Sequence, residues 1–160
     1  MRRGQAARCR RPETQDSNNV ALQLRRDVAG RLGSSAPSPR SRLGFASSHS
    51  RSLFTVAICQ AEILASIAVL PAGRRRTVLE TTAGGMLNED FHERTLPFDG
   101  LAAAAYAQLF VSRRQIGRPI ATEDLIVAAT AHVHGAAVIT RDAGGFEGCG
   151  LAVIDPWTVP

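Results

Sequence analysis

The texture of the chain breaks at Ser52, and that break limits how much of it can build a core. Residues 1–50 hold ten Arg against three acids, a net charge of +7, while residues 51–160 hold nine Arg against eleven acids, a net of −2. The formal charge of +5 and the pI near 10.4 therefore belong to the first segment, so basicity is no argument that the remainder binds nucleic acid. The run GSSAPSPRSRLGFASSHS (33–50) is too rich in Ser, Pro and Gly to bury the apolar surface that offsets ordering entropy. Within the first segment only the alternation of Val20, Leu22 and Leu24 in NNVALQL supports a short strand. The sequence thus predicts a basic, disordered or non-native segment over 1–51 and a folded domain over 52–160.

Beyond the break, short apolar runs alternate with helical patterns. LFTVA (53–57) reads as a strand, and Ile58 to Leu70 as a helix stopped by Pro71-Ala72-Gly73. A second helix runs from about Gly73 to Leu87, with an interruption expected at Gly84-Gly85. RTLPF (94–98) is extended, and Asp99 is placed to N-cap an Ala-rich helix from Gly100 to about Ile116. A further helix spans Ala121 to His134, with Thr122 as its cap and Gly135 as its stop. AAVIT (136–140) and LAVI (151–154) are strands separated by a Gly-rich loop. Helices alternating with short buried strands make an α/β fold with a mostly parallel sheet.

Several classes are excluded or disfavoured. No apolar run approaches the roughly 18–20 residues of a membrane span, and the Arg-rich start lacks the apolar stretch of a secretory signal. Cys9, Cys59 and Cys149 are too scattered for a disulfide framework or a zinc knuckle, which favours a reducing, cytoplasmic setting. Cys59 reads as a small buried hydrophobe. His132 and His134 are two apart on a helix and face different ways, so they are poor joint ligands.

Three acids carry the chemistry. Glu62 is expected to open the helix after LFTVA, Asp124 lies in the first turn of the helix after GRPI, and Asp142 follows the strand AAVIT. In open parallel sheets ligands bind beyond the carboxyl ends of the strands, where all three would meet within about 10 Å. Clustered carboxylates repel, and a hard cation such as Mg²⁺ or Mn²⁺ relieves the repulsion. The competing reading is structural: first-turn acids answer the helix dipole, and an Asp after a strand builds a turn.

The runs SLFTVAICQAEIL (52–64), LPAGRRR (70–76), LPFD (96–99), GRPIATEDLIVAA (117–129) and VITRDAGGFEGCGLAVIDPW (138–157) together resemble the VapC/FitB-like branch of the PIN-domain family. The resemblance implies a three-layer α/β/α fold and a metal-dependent endoribonuclease, the toxin of a toxin–antitoxin pair. It also implies three partners: an RNA substrate, a cognate antitoxin and a second copy of the chain. Family members hold Mg²⁺ or Mn²⁺ with four acids. Three of those positions fall on Glu62, Asp124 and Asp142, which are the expected catalytic and metal-binding residues, and Thr140 matches a hydroxyl residue near the site.

The fourth acid is where the chain departs from the pattern. The family opens with an apolar strand ending in Asp-Thr-Asn, at the middle of the sheet. Here Asp27 has about the right separation from Glu62 but lacks the apolar run, and Asp16-Ser17-Asn18 copies the triplet but comes too early. The first segment reads as a divergent or frame-shifted replacement, with the first strand missing and activity impaired. The alternative is a catalytically inactive remnant that binds an antitoxin or nucleic acid. Arg74-Arg75-Arg76, Arg113 and Arg114 read as solvated helix faces, Arg141 as a cation able to steer a phosphate, and Tyr106 and Trp157 as packing residues.

Overall fold

The computed structural model describes residues 53–155 and the backbone of Val20–Leu22. The remainder of the basic segment, with Cys9, Asp16 and Asp27, lies outside the described residues, as does Trp157.

Five strands form one parallel sheet in the order β3-β2-β1-β4-β5: β1 (Val20–Leu22), β2 (Leu53–Val56), β3 (Thr95–Leu96), β4 (Ala137–Ile139) and β5 (Val153–Ile154). The short strand read from the alternation of Val20 and Leu22 is present, and it takes the central place that the departure from the family's opening had put in doubt. Val20 pairs with Leu53 on one side and Ala137 on the other, and Leu22 pairs with Ile139. A three-residue strand suffices in this position because parallel neighbours on both edges take up its backbone groups. All neighbouring pairs are parallel, so the carboxyl ends of the strands share one edge.

Four α-helices accompany the sheet: α1 (Ala57–Ala68), α2 (Arg74–Gly85), α3 (Gly100–Gln115) and α4 (Thr122–Val133). Gly84 and Gly85 do not interrupt α2 as expected. Gly85 keeps a right-handed helical conformation, and the helix passes into a π turn over Met86–Asp90. Asp99 caps α3 as the sequence indicates, accepting from the Ala102 N–H at 2.9 Å. Thr122 does not cap α4. The N-cap position falls on Ala121, which has no side-chain acceptor, and Thr122 is the first helical residue.

The main core joins β2, β4, α3 and α4 through Val56, Cys59, Leu109, Leu125, Val127, Val138, Phe146 and Cys149. Helix α4 is buried almost all round, and its Ala128, Ala129 and Ala131 admit close approach of its neighbours. Cys59 and Cys149 are both buried. The α1–α2 hairpin closes its own smaller cluster of Ile63, Ile67, Leu79 and Ala83. On the exposed face of α2, Arg76 donates to the Ala68 carbonyl at 3.2 Å, a tie across the hairpin, and pairs with Glu80 at 2.8 Å within the helix. No described helix is long and apolar enough to cross a membrane.

Candidate active site

The parallel sheet gives its strands a common carboxyl edge, beside which Asp142 follows β4 and Asp124 opens α4. β2 ends at Val56 and α1 starts at the next residue. Glu62 therefore does not open the helix but lies in its second turn. It is partly buried. Helix α4 packs on β4 and reaches it through a tight turn at Gly135, whose φ is +60°, so the two run in opposite senses. Its N-terminus, with Asp124 in the first turn, thus lies at the carboxyl edge. Asp124 is 6% exposed, an unusual setting for a carboxylate, which the N-terminal helix dipole favours.

Asp142 follows β4 and is exposed. A short 3₁₀ turn over Ala143–Phe146 fixes its direction, with Oδ1 accepting from the Gly145 N–H at 3.1 Å. Thr140 is buried, and its Oγ1 accepts from the Asp142 N–H at 3.1 Å. The hydroxyl therefore shapes the turn that carries the acid. Gly145 lies close against the acid: a Cβ there would come 2.9 Å from Asp142 Oδ2. A methyl group would push the carboxylate out of place.

Among the described residues no group of three or more His, Cys, Asp or Glu side chains is assembled to hold a metal ion. The donor chemistry nevertheless suits Mg²⁺ or Mn²⁺, since these acids offer only hard oxygens. Mg²⁺ commonly takes one or two protein carboxylates and keeps several waters, without a closed protein cage.

Sequence reasoning missed Arg113. It is 3% exposed, on the same stripe of α3 as Ala102, Ala105 and Leu109, and its Nη2 donates to the Gly145 carbonyl at 3.2 Å. The signal was present in the spacing, since Arg113 lies four residues after Leu109 on the apolar face. Arg114 differs, lying over the Phe110 ring with Cζ 5.0 Å from its centroid. Tyr106 packs between Phe98 and Phe110, as expected of a packing residue.

No family model matches the chain. It is 40% identical over 105 residues to the VapC ribonuclease Y4jK of Sinorhizobium fredii, a match covering 66% of this chain and 75% of that protein. It is 37% identical to the toxin FitB of Neisseria gonorrhoeae over 105 residues, 66% of this chain and 76% of the relative. The chain belongs to the VapC/FitB-like family of PIN-domain toxins. Its backbone superimposes on a structure of FitAB bound to a DNA fragment with a TM-score of 0.77 at 31% identity, covering 88% of this chain and 97% of that one. It also matches VapBC-5 of Mycobacterium tuberculosis, a member of the VapBC family of toxin–antitoxin systems. There the TM-score is 0.54 at 26% identity, over 64% of this chain and 79% of that one. The fold is thus the α/β/α arrangement of these proteins, and the family works with divalent metal ions.

Proposed function

We propose that this chain is the ribonuclease toxin of a toxin–antitoxin pair, cutting RNA with Mg²⁺ or Mn²⁺ held by Glu62, Asp124 and Asp142. The domain is assigned to residues 52–160 together with β1. What supports the reading is 40% identity over 105 residues to a VapC ribonuclease, together with the hard-oxygen chemistry of the three acids. A bound divalent ion supplies an activated water and offsets charge on the phosphodiester in flight. The chain's residues bind and aim. Asp124 offers a carboxylate at a buried helix start, Asp142 one fixed by its 3₁₀ turn, and Glu62 one that can orient the attacking water. Arg141, exposed beside Asp142, is a cation for an RNA phosphate.

The antitoxin is proposed to occupy the same acidic edge with an Arg-bearing segment, consistent with relatives solved as FitAB and VapBC assemblies. A second copy is proposed against α3, which exposes Leu101, Phe110, Val111 and Ile116.

One observation favours a second reading, an inactive remnant that binds an antitoxin or nucleic acid. The family places an Asp at the end of the first strand, whereas β1 ends at Leu22 and Gln23 comes next. The test is cleavage of a defined RNA with Mg²⁺ or Mn²⁺, by the native chain and by Glu62→Gln, Asp124→Asn and Asp142→Asn. Each substitution is expected to lower the rate on the order of 10²-fold, and a chelator to abolish it. Cleavage indifferent to the chelator and to Asp124→Asn would overturn the metal site. Absence of cleavage by the native chain, with antitoxin binding retained, selects the second reading.

A further inference from the structure

We propose that Arg113 is a positioning residue that holds Asp142 in its working direction from inside the protein. This rests on the carboxylate site proposed above. The guanidinium reaches across 32 residues to donate from Nη2 to the Gly145 carbonyl at 3.2 Å. The N–H of that same residue donates to Asp142, at 3.1 Å to Oδ1 and 3.2 Å to the backbone oxygen. One glycine therefore joins a buried cation to an exposed carboxylate. Gly145 also lies so close to the Asp142 carboxylate that a Cβ there would come 2.9 Å from Oδ2, so a displacement of this residue is transmitted to the acid.

The burial of Arg113 is otherwise unexplained. Its Nε and Nη1 are buried without hydrogen-bond partners among the described residues, and unpaired buried donors oppose folding. An apolar side chain would complete the Ala102, Ala105, Leu109 stripe without that cost. The one hydrogen bond the Arg113 side chain makes among the described residues is to the loop that presents Asp142. A second tie acts on the same loop. Arg118 forms an ion pair with Glu147, and the Arg118 N–H donates to the Arg113 carbonyl at 3.0 Å. Gly148, at φ +80°, packs so closely that a Cβ would meet Ile116 Cδ1 at 2.9 Å. The end of α3 thus clamps the loop from Gly145 to Gly148, while Asp142 itself stays open to solvent.

Groups that orient metal ligands without touching the ion typically change affinity or rate by about 10–100-fold when removed. The test uses the full chain with Arg113→Met, Arg113→Lys and Asp142→Asn. Mn²⁺ binding is followed by electron paramagnetic resonance, kcat and KM for RNA cleavage are measured separately, and thermal unfolding monitors the fold. Arg113→Met is expected to weaken Mn²⁺ binding about 10-fold and lower kcat by a similar factor, with KM little changed. In an Asp142→Asn background, Arg113→Met should have no further effect on Mn²⁺ binding. A lowered melting temperature with native Mn²⁺ affinity and kcat in the folded protein would show a purely structural role and overturn the proposal. If Arg113→Met does not fold, Arg113→Lys decides. It keeps the charge but not the planar fork, so native affinity and kcat in that variant overturn the proposal and a several-fold loss of both supports it. If Asp142→Asn itself leaves Mn²⁺ binding and cleavage unchanged, the carboxylate site fails and this proposal falls with it. Loss in Asp142→Asn without loss in either Arg113 variant defeats only the positioning role.

Discussion

Burial pushes the Cys149 thiol above its ordinary pKa of 9.0, and the Arg113 charge pulls weakly the other way. The consequence for stability has a definite sign. Below pH 9 both folded and unfolded chains keep the proton and nothing is lost. Above it the unfolded thiol ionises first, so stability falls as pH rises toward the folded value. The urea midpoint of the native chain should hold steady from pH 7 to about 8.5 and then decline more steeply than that of Cys149→Ala. Parallel profiles up to about pH 10.5 would contradict this. At the residue scale the sequence was readable wherever one residue answers to its immediate neighbours. Asp99 was legible as a cap because the helix start and the acceptor are adjacent. The burial of Arg113 was there to be read in the apolar spacing of α3, but its partner was not, because that partner is Gly145 and no local rule connects a helix residue to a loop so far along the chain.

At the scale of elements, the strands and helices beyond Ser52 emerge near their expected bounds because hydrophobic period and turn residues agree there. The exceptions have local causes. Gly84 and Gly85 read as a break, yet the helix continues through them, since Gly accepts helical dihedrals when packing supports it. Leu79 and Ala83 on one side of them, and Leu87 beyond, are all buried. The same packing yields a test. The α1–α2 hairpin depends on a cluster separate from the main core, formed by Ile63, Ile67, Leu79 and Ala83. Leu79→Ala is therefore expected to cost roughly 2–5 kcal/mol. Hydrogen exchange should quicken in α1 and α2 while amides of α4 and β4 change less. Uniform acceleration throughout the chain would show that the two clusters melt as one.

At the scale of the whole molecule, the fold was legible from residues 52–160 and a short strand from the alternation of Val20 and Leu22, but the central place of that strand was not. Val20–Leu22 is only three residues long and sits in a basic stretch whose composition argues against folding. Its place comes from non-local pairing with Leu53 and Ala137, which alternation over a few residues does not reveal. Asp124 and Asp142 were legible as candidates because each stands beside an element boundary, while Glu62, inside α1, was picked out by the family resemblance; a fourth acid depends on the residues beyond β1. Chain order favours Asp27 over Asp16 as a fourth acid, since Asp27 comes after the strand and Asp16 before it. Even so, four residues separate Asp27 from Leu22, where the family carries its acid at the strand end. Removing one carboxylate takes about a full negative charge from the ion's surroundings, and Mg²⁺, which sheds water reluctantly, then binds less tightly. The attacking water is also less well placed, and small misplacements cost on the order of 10²-fold in rate. The native chain is accordingly expected to be a weak nuclease. Replacing residues 1–50 with an apolar strand and subsequent helices of the family type, with Asp-Thr-Asn at the strand end, should raise Mn²⁺-dependent cleavage by about that factor. Asp27→Asn in the native chain discriminates further: a large loss means that Asp27 already serves as the fourth acid. Equal rates for native and replaced chains, both abolished by Asp124→Asn, would show that the native N-terminus builds a competent site.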